Sequence, residues 1–371
     1  MAGTTVSDVL VVGAGLIGAS IGLALSDQGR SVTLTDAQPG HTAQAAGRGA
    51  GRAWDGEERA AVVLLATPPA RIAAELHGFQ RRGIGAVYTH VSSVQVGVQR
   101  AVDALGGDTS AVCGGHPLAG TERSGPLAAS GELFIGRPWA LCPSAGTSEG
   151  ALRDVRELAL ATGATPVVLT AEAHDRAVAL VSHLPQVAAS AVAAMLTGAG
   201  YVDRLAGPGL VDTTRIAASD PALWVEVLAL NAAQVAPLVR DLATDLLGVA
   251  QALDALTSDS PPRPERVLQQ ASSTLLSLLQ RGNDGRALVP VKRGAHQQDF
   301  DRVVVSVPDT PGQLAGLLAA ASTSGVNVED VRVEHVPGRP AGSIELLVAT
   351  GTGDRLARVL DGQGWQVQRH G

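Results

Sequence analysis

Val9-Leu10-Val11-Val12-Gly13-Ala14-Gly15-Leu16-Ile17-Gly18 is the stretch that settles the fold class. Four apolar residues enter a GxGxxG turn, a helical pattern follows from Ala19 to Gln28, and a second strand pattern, Ser31 to Thr35, ends on Asp36. A lone GxGxxG is weak. Here it follows a strand, opens a helix and has an acid eighteen residues after Gly18, which is the full context of a dinucleotide-binding β-α-β unit. The glycines let the backbone approach a pyrophosphate, whose charge rests on the helix N-terminus. Asp36 would accept from the adenosine ribose and repel a 2′-phosphate, so NAD is favoured over NADP. Gly13, Gly15, Leu16, Ile17, Gly18 and Asp36, with the Thr67-Pro68 turn, are the candidate cofactor contacts.

Working outward, strand and helix patterns keep alternating. Ala61-Val62-Val63-Leu64-Leu65-Ala66 reads as a buried strand stopped by Thr67-Pro68-Pro69, and a helix from Arg71 to Arg82 leads to a strand over Ala86 to Thr89. That strand ends in His90-Val91-Ser92-Ser93-Val94-Gln95, on the side of a parallel sheet that faces the ligand crevice. Ser93 therefore lies near the nicotinamide or, in the plainer reading, caps a helix. Ala111-Val112-Cys113 reads as a short strand feeding His116-Pro117-Leu118-Ala119-Gly120-Thr121-Glu122-Arg123-Ser124-Gly125. Pro117, Gly120 and Gly125 break that stretch too often for a helix or a long strand, so it reads as a loop. It gathers a histidine, a hydroxyl, a carboxylate and a guanidinium, as site loops do; a surface loop with an incidental histidine is the bland alternative. Trp139 to Cys142 and Thr165 to Leu169 carry the alternation to about residue 170.

Composition bounds the function. With 371 residues the chain holds two or three domains, and with 2% aromatics their cores must be built from Ala, Val and Leu. A formal charge of −7 and a pI near 5.7 argue against a nucleic-acid partner. No uninterrupted apolar run reaches membrane-span length and no signal-peptide pattern opens the chain, so no membrane partner is expected. Cys113 and Cys142 are the only thiols, which fits a reducing cytoplasm; Cys113 near His116 does not make a metal site, and no metal is expected.

Beyond residue 170 the strand signal fades. Glu172 to Leu196 reads as one long helix, apolar nearly all round, as in a bundle or dimer core. Pro185 should kink it by clashing with the carbonyl of Val181. His183 beside the kink is either a satisfied core histidine or a site residue. Val211-Asp212-Thr213-Thr214-Arg215 precedes Ser219-Asp220-Pro221, a helix start capped by Asp220, with Trp224 one turn in. Residues 257–266 form a proline-rich break, a short helix follows, and Arg281-Gly282-Asn283-Asp284-Gly285 reads as a turn-rich connector. From about Asp301 the order is β-α-β-β-α-β, a ferredoxin-like arrangement. The expected fold class is α/β in three parts: a Rossmann-type domain over 1–170, an all-α substrate and dimerisation domain over 171–285, and the ferredoxin-like domain over 300–371.

Together these motifs resemble the prephenate dehydrogenase family, of the bacterial (actinobacterial) type with a C-terminal ACT domain, over almost the whole chain. The resemblance rests on the Gly13/Gly15/Gly18 turn, Ser93, His116-Pro117 with Gly120-Thr121-Glu122 and Ser124-Gly125, and Ser182-His183-Leu184-Pro185. Thr214-Arg215-Ile216-Ala217, Asp220-Pro221 and Trp224 complete it. Val307-Pro308-Asp309-Thr310-Pro311-Gly312 and Gly325-Val326-Asn327-Val328-Glu329-Asp330 are similar to ACT loops that bind small amino acids. The resemblance implies NAD-dependent oxidative decarboxylation of prephenate to 4-hydroxyphenylpyruvate for tyrosine synthesis. It implies His116 as the base, Ser93 as its hydrogen-bond partner, and Arg215 on a substrate carboxylate. His183, Thr121, Glu122, Trp224 and Gln95 would line the pocket, and Asp212 would reach the neighbouring subunit of a homodimer. The ACT domain would take an aromatic amino-acid effector.

Two positions depart from the family pattern. The loop after the fourth strand usually reads Asp-x-x-Ser-Val-Lys, whereas here His90 and Gln95 stand where the acid and the lysine would be. A protonated His90 would restore the missing positive charge. Arogenate or an amino analogue of prephenate would suit the same arrangement. A non-catalytic NAD- and amino-acid-binding regulator is the reading from another class, against which the retention of Ser93, His116, His183 and Arg215 together argues.

Overall fold

The computed structural model describes residues 6–120, 124–257, 264–289, 300–308, 310–335 and 341–368. The chain divides into two compact units, residues 1–244 and 245–371.

The first unit opens with β1 (Val6–Val12), α1 (Leu16–Ser26), β2 (Val32–Thr35), α2 (Pro39–Gly47), β3 (Arg52–Ala53), β4 (Arg59–Leu65) and α3 (Pro69–Arg81). It continues with β5 (Gly85–His90), α4 (Val96–Ala104), β6 (Val112–Pro117), β7 (Pro138–Pro143), α5 (Glu149–Ala161) and β8 (Thr165–Val168). The eight strands form one sheet in the order β3-β2-β1-β4-β5-β6-β7-β8. All neighbours are parallel except β6 and β7. The strand alternation sorts the core onto two faces. Val9, Val11 and Leu64 pack on one side with Ile21, Leu25 and Leu158, while Leu10, Val12, Val63 and Leu65 pack on the other with Ile72 and Leu76. The scarce aromatics are concentrated, since Phe134 and Trp139 are fully buried and stack at 5.5 Å.

His116 is a strand residue, not a loop residue as its glycines and proline suggested. Pairing with β7 runs on through His116↔Ala140 and Pro117↔Trp139, and Leu118 N–H donates to Pro138 O at 2.9 Å. The antiparallel partner, invisible in the local sequence, overrides the local breakers. Thr121, Glu122 and Arg123 lie outside the described residues.

The helical part of this unit comprises α6 (Ala171–Val178), a π turn (Ala179–His183), α7 (Leu184–Ala194), α8 (Val202–Leu205), α9 (Pro208–Thr214), a 3₁₀ segment (Arg215–Ala218) and α10 (Pro221–Leu230). Then α11 (Ala232–Leu256) crosses the division between the units. Pro185 sits in the first turn of α7 and the π turn precedes it, which relieves the clash with the Val181 carbonyl without ending the helix. Residues 171–194 are long and apolar enough, by length and composition alone, to cross a membrane. Their buried positions nevertheless include His174, Asp175, His183 and Gln186. Asp220 caps α10 as expected, accepting from Ala222 N–H at 2.9 Å ahead of Pro221.

In the second unit α12 (Glu265–Ala287) runs straight through Gly282 and Gly285, where a connector was expected. Each glycine costs a helix about 1 kcal/mol, which twenty-three helical residues outweigh. The order β9 (Phe300–Pro308), α13 (Gln313–Ser322), β10 (Val328–His335), β11 (Ala341–Ala349), α14 (Gly353–Gly362), β12 (Gln366–Gln368) reproduces the β-α-β-β-α-β expectation. Its four strands form an antiparallel sheet in the order β10-β11-β9-β12. Val305, Leu317, Leu346, Leu356 and Leu360 are fully buried beneath it. Residues 258–263 of the proline-rich break and Asp309 lie outside the described residues.

Candidate active site

The dinucleotide turn is shaped by what cannot be there. A Cβ on Gly13, at φ +98°, would stand 2.4 Å from the Ala66 carbonyl oxygen, and one on Gly18 would stand 1.9 Å from the Gly13 oxygen. Beside Gly15 nothing lies within 4 Å, so bare backbone is open to a ligand there. Asp36 Oδ2 accepts from Ala14 N–H at 2.7 Å, Oδ1 accepts from Gln38 N–H at 2.8 Å, and His41 Nδ1 lies 3.6 Å away. The acid thus ties the turn to the end of β2 while facing the crevice lined by Gly13, Gly15, Asp36, Thr67 and Pro68. Trp54 and Phe79 close the far wall, tilted at 5.7 Å. Thr67 Oγ1 donates to Glu75 Oε2 at 2.6 Å, which pins the second turn. Leu16 and Ile17 are half-buried at the start of α1. These residues fit NAD: a glycine cradle, a helix N-terminus and a ribose acceptor.

The C-terminal ends of β1, β4, β5 and β6 share one edge of the sheet, so Gly13, Thr67, the Val91–Gln95 loop and His116 converge there. His116 is half-buried, and its Nδ1 lies 2.9 Å from Nε2 of His174. His174 Nδ1 in turn lies 2.8 Å from Asp175 Oδ1, the two side chains being 1% and 3% exposed. Asp175 also accepts from Gln95 N–H and Val96 N–H, each at 2.9 Å, and so caps α4 from another helix. Asn231 Nδ2 donates to the Asp175 carbonyl at 2.8 Å and reaches His183 Nδ1 at 3.1 Å. His183 meets Trp224 edge-on at 5.8 Å.

Burial sets the charge of these rings. It pushes His116 down to about 3, helped by the neighbouring imidazoles of His174, His183 and His90, and it pushes His90 down to about 4, helped by His174. His183 is lowered by burial too, against the pull of Asp175. His116 is therefore a neutral imidazole near pH 7, able to take a proton. The same burial corrects the expectation for His90: 1% exposed and neutral, it brings no compensating charge.

The other expected residues are distributed as follows. Gln95 is completely buried; its amide donates to Ser92 O at 2.7 Å and Gly115 O at 3.1 Å, so it braces the strand leading to His116. Ser93 is half-buried on the same loop and, among the described residues, has no hydrogen-bond partner; the partner of His116 is His174 instead. Arg215 and Asp212 are exposed, and no described carboxylate pairs with Arg215. Cys113 and Cys142 are buried free thiols, the first pushed up to about 12 by burial, and serve as packing residues. His174, Asp175 and Asn231 did not emerge from the sequence. The signal was present: an adjacent His-Asp pair in an alanine-rich helix that the rest of the pattern buries, where charged residues are rare unless paired.

Residues 21–168 match the family model described as the prephenate dehydrogenase nucleotide-binding domain, and residues 170–261 match the prephenate dehydrogenase dimerization domain. A probable prephenate dehydrogenase of Streptomyces niveus is 38% identical over 359 residues, covering 96% of this chain and 98% of that protein. The fold is similar to that of Synechocystis arogenate dehydrogenase, with 26% identity, a TM-score of 0.60, and coverage of 75% of this chain and 98% of the other. It is also similar to prephenate dehydrogenase from Aquifex aeolicus, solved with hydroxyphenyl propionate and NAD+, with 24% identity, a TM-score of 0.65, and coverage of 76% and 98%.

Proposed function

The chain belongs to the prephenate dehydrogenase family, and from that premise we propose that its site at the ends of β1, β4, β5 and β6 oxidises prephenate. The protein is an NAD-dependent oxidoreductase converting prephenate to 4-hydroxyphenylpyruvate and carbon dioxide. The observation that carries the site assignment is a neutral His116, backed by a buried His-Asp pair, on the sheet edge that also carries the glycine turn.

NAD, when bound, supplies the hydride acceptor. His116 Nε2 takes the proton of the ring hydroxyl as the hydride leaves the carbon that bears it. Aromatisation drives loss of the ring carboxylate, so the remaining residues have to orient the ring and hold its two carboxylates. Arg215 pairs one of them bidentately. His183 and Trp224 line the ring pocket, Thr121 and Glu122 are assigned to it by the family resemblance alone, Ser93 would serve the nicotinamide and the hydroxyl, and Gln95 acts behind the pocket as a brace. Substitution of His116 by Asn tests the assignment: NAD binding should persist while kcat falls by roughly 10²–10⁴-fold. An unchanged kcat removes His116 as the base.

The helical region forms a homodimer, a reading supported by the matched dimerization domain and by exposed Leu180, Val181, Met195, Leu205 and Val225. Asp212 on exposed α9 then reaches the neighbouring subunit's site. Domain limits of 1–170, 171–285 and 300–371 follow the sequence motifs. The C-terminal β-α-β-β-α-β unit is an ACT domain taking an aromatic amino acid, as in the actinobacterial type, and the two free thiols fit a cytoplasmic enzyme. Arogenate is the second substrate reading, favoured by the likeness to the Synechocystis enzyme. Turnover with prephenate beside arogenate distinguishes them.

A further inference from the structure

We propose that His174 and Asp175 are positioning residues: they fix His116 in the tautomer whose Nε2 is bare, so that the base is set before substrate arrives. The inference rests on the assignment of His116 as the base and adds how its proton inventory is imposed.

Asp175 is 2% exposed, and it accepts Gln95 N–H on Oδ1 and Val96 N–H on Oδ2, both at 2.9 Å. Each of its oxygens already accepts a backbone N–H at a helix N-terminus, so the carboxylate acts as an acceptor toward the ring that faces it. The ring nitrogen facing it at 2.8 Å, Nδ1 of His174, must therefore carry a hydrogen. A neutral imidazole has one N–H, so Nε2 of His174 is bare and can only accept. The nitrogen facing that one at 2.9 Å, Nδ1 of His116, must donate. The single hydrogen of neutral His116 is thereby placed on Nδ1, and its Nε2 is left with a free lone pair. The reversed arrangement would point a bare nitrogen at the carboxylate.

The charged and titratable groups around the ring agree with this inventory. His116 faces the imidazoles of His174, His183 and His90, and burial keeps His116, His183 and His90 neutral near pH 7. Asp175 is the carboxylate within the described cluster. When His116 takes the substrate proton, the substrate O–H bond breaks and an Nε2–H bond forms. The Nδ1 hydrogens of His116 and His174 stay where they are, aligned toward Asp175, and stabilise the imidazolium. No proton needs to travel along the chain.

The geometry also explains why three elements are tied at one point. Asn231 on the loop into α11 holds the Asp175 carbonyl, Asp175 caps α4, and α4 begins where Gln95 braces Gly115 beside His116. A shift of α6 would thus move both the base and its partner.

The test compares His174→Gln with His174→Phe in the full-length enzyme. A glutamine amide spaces its oxygen and nitrogen much as imidazole spaces its two nitrogens. It can donate to Asp175 and accept from His116, so His174→Gln should keep kcat within roughly 10-fold of wild type. Phenylalanine can do neither, and kcat should fall by roughly 10²-fold or more with KM for prephenate and NAD binding little changed. The tautomer of His116 is read from ¹⁵N shifts of histidine-labelled protein: Nδ1–H in wild type and His174→Gln, with Nε2–H gaining in His174→Phe. Equal kcat losses in both variants with an unchanged His116 tautomer overturn the proposal, as does full activity of His174→Phe. His116→Asn run alongside separates the two levels. If it stays active, the assignment of the base itself fails; if it is dead while His174→Phe turns over normally, only the positioning role of His174 and Asp175 fails.

Discussion

Gln95→Lys installs the lysine expected from the family's usual Asp-x-x-Ser-Val-Lys pattern, and the packing around residue 95 makes it harmful here. Gln95 is 0% exposed, both amide hydrogens are committed to Ser92 O and Gly115 O, and Oε1 has no partner among the described residues. That oxygen and His90 Nε2 converge beside Gly114, where a Cβ would stand 2.4 and 3.1 Å from them. His90 is neutral, with its Nδ1 accepting from Ser92 N–H at 3.3 Å, and the Asp175 carboxylate is already engaged by Gln95 N–H, Val96 N–H and His174, so a lysine ammonium would enter a closed space with no uncommitted anion to meet it. An unpaired buried ion costs several kcal/mol, and the two carbonyls recover part of that, leaving about 2–4 kcal/mol of lost stability. His90→Asp alone buries an acid opposite an amide and should cost about 2–3 kcal/mol. The double variant pairs the two charges, so its cost should fall short of the sum by about 1.5–3 kcal/mol. Urea unfolding of the four proteins at pH 7 gives this coupling directly, with kcat/KM measured beside it. Because residue 95 braces the strand that carries His116, activity should track stability, lost in Gln95→Lys and regained in the double variant. Single-variant costs that add to within about 0.5 kcal/mol would refute a coupled neutral pair and leave two independent positions.

Three further outcomes are expected. Asp36→Ser should raise kcat/KM with NADP relative to NAD by at least about 10-fold, since the carboxylate at the crevice no longer opposes a 2′-phosphate; an unchanged cofactor ratio contradicts its role. His90 and His116 have folded-state values of about 4 and about 3, below the ordinary 6.5, so the folded protein binds fewer protons than the unfolded chain in mild acid. Their stabilising contribution is complete above pH 6.5 and is lost as pH falls toward 4, at up to about 1.4 kcal/mol per pH unit for each ring; equal urea midpoints at pH 7.5 and pH 5 would exclude this. Calorimetry of the intact chain should detect binding of Tyr, Phe or Trp that disappears when residues 299–371 are removed, with turnover retained; no heat with any of the three leaves the C-terminal unit a structural role.

What the sequence determined by itself is what local chemistry dictates. The strand, GxGxxG turn and helix around Gly13 follow from apolar runs and from glycines that alone fit where the Ala66 carbonyl approaches. The Asp220-Pro221 helix start and the β-α-β-β-α-β order of the second unit follow likewise from capping and periodicity within short windows. What the tertiary structure alone decided depends on partners distant along the chain. His116 meets His174 across fifty-eight positions, and Asp175 reaches Gln95 across eighty. The antiparallel run of β7 beside β6 turns an apparent loop into the strand that carries the base. Desolvation is likewise a property of the packed interior, so the neutrality of His90 and the inward turn of Gln95 could not be read from residue types. A sequence can name a histidine as a base, but which of its nitrogens is free depends on neighbours that only folding brings within 3 Å.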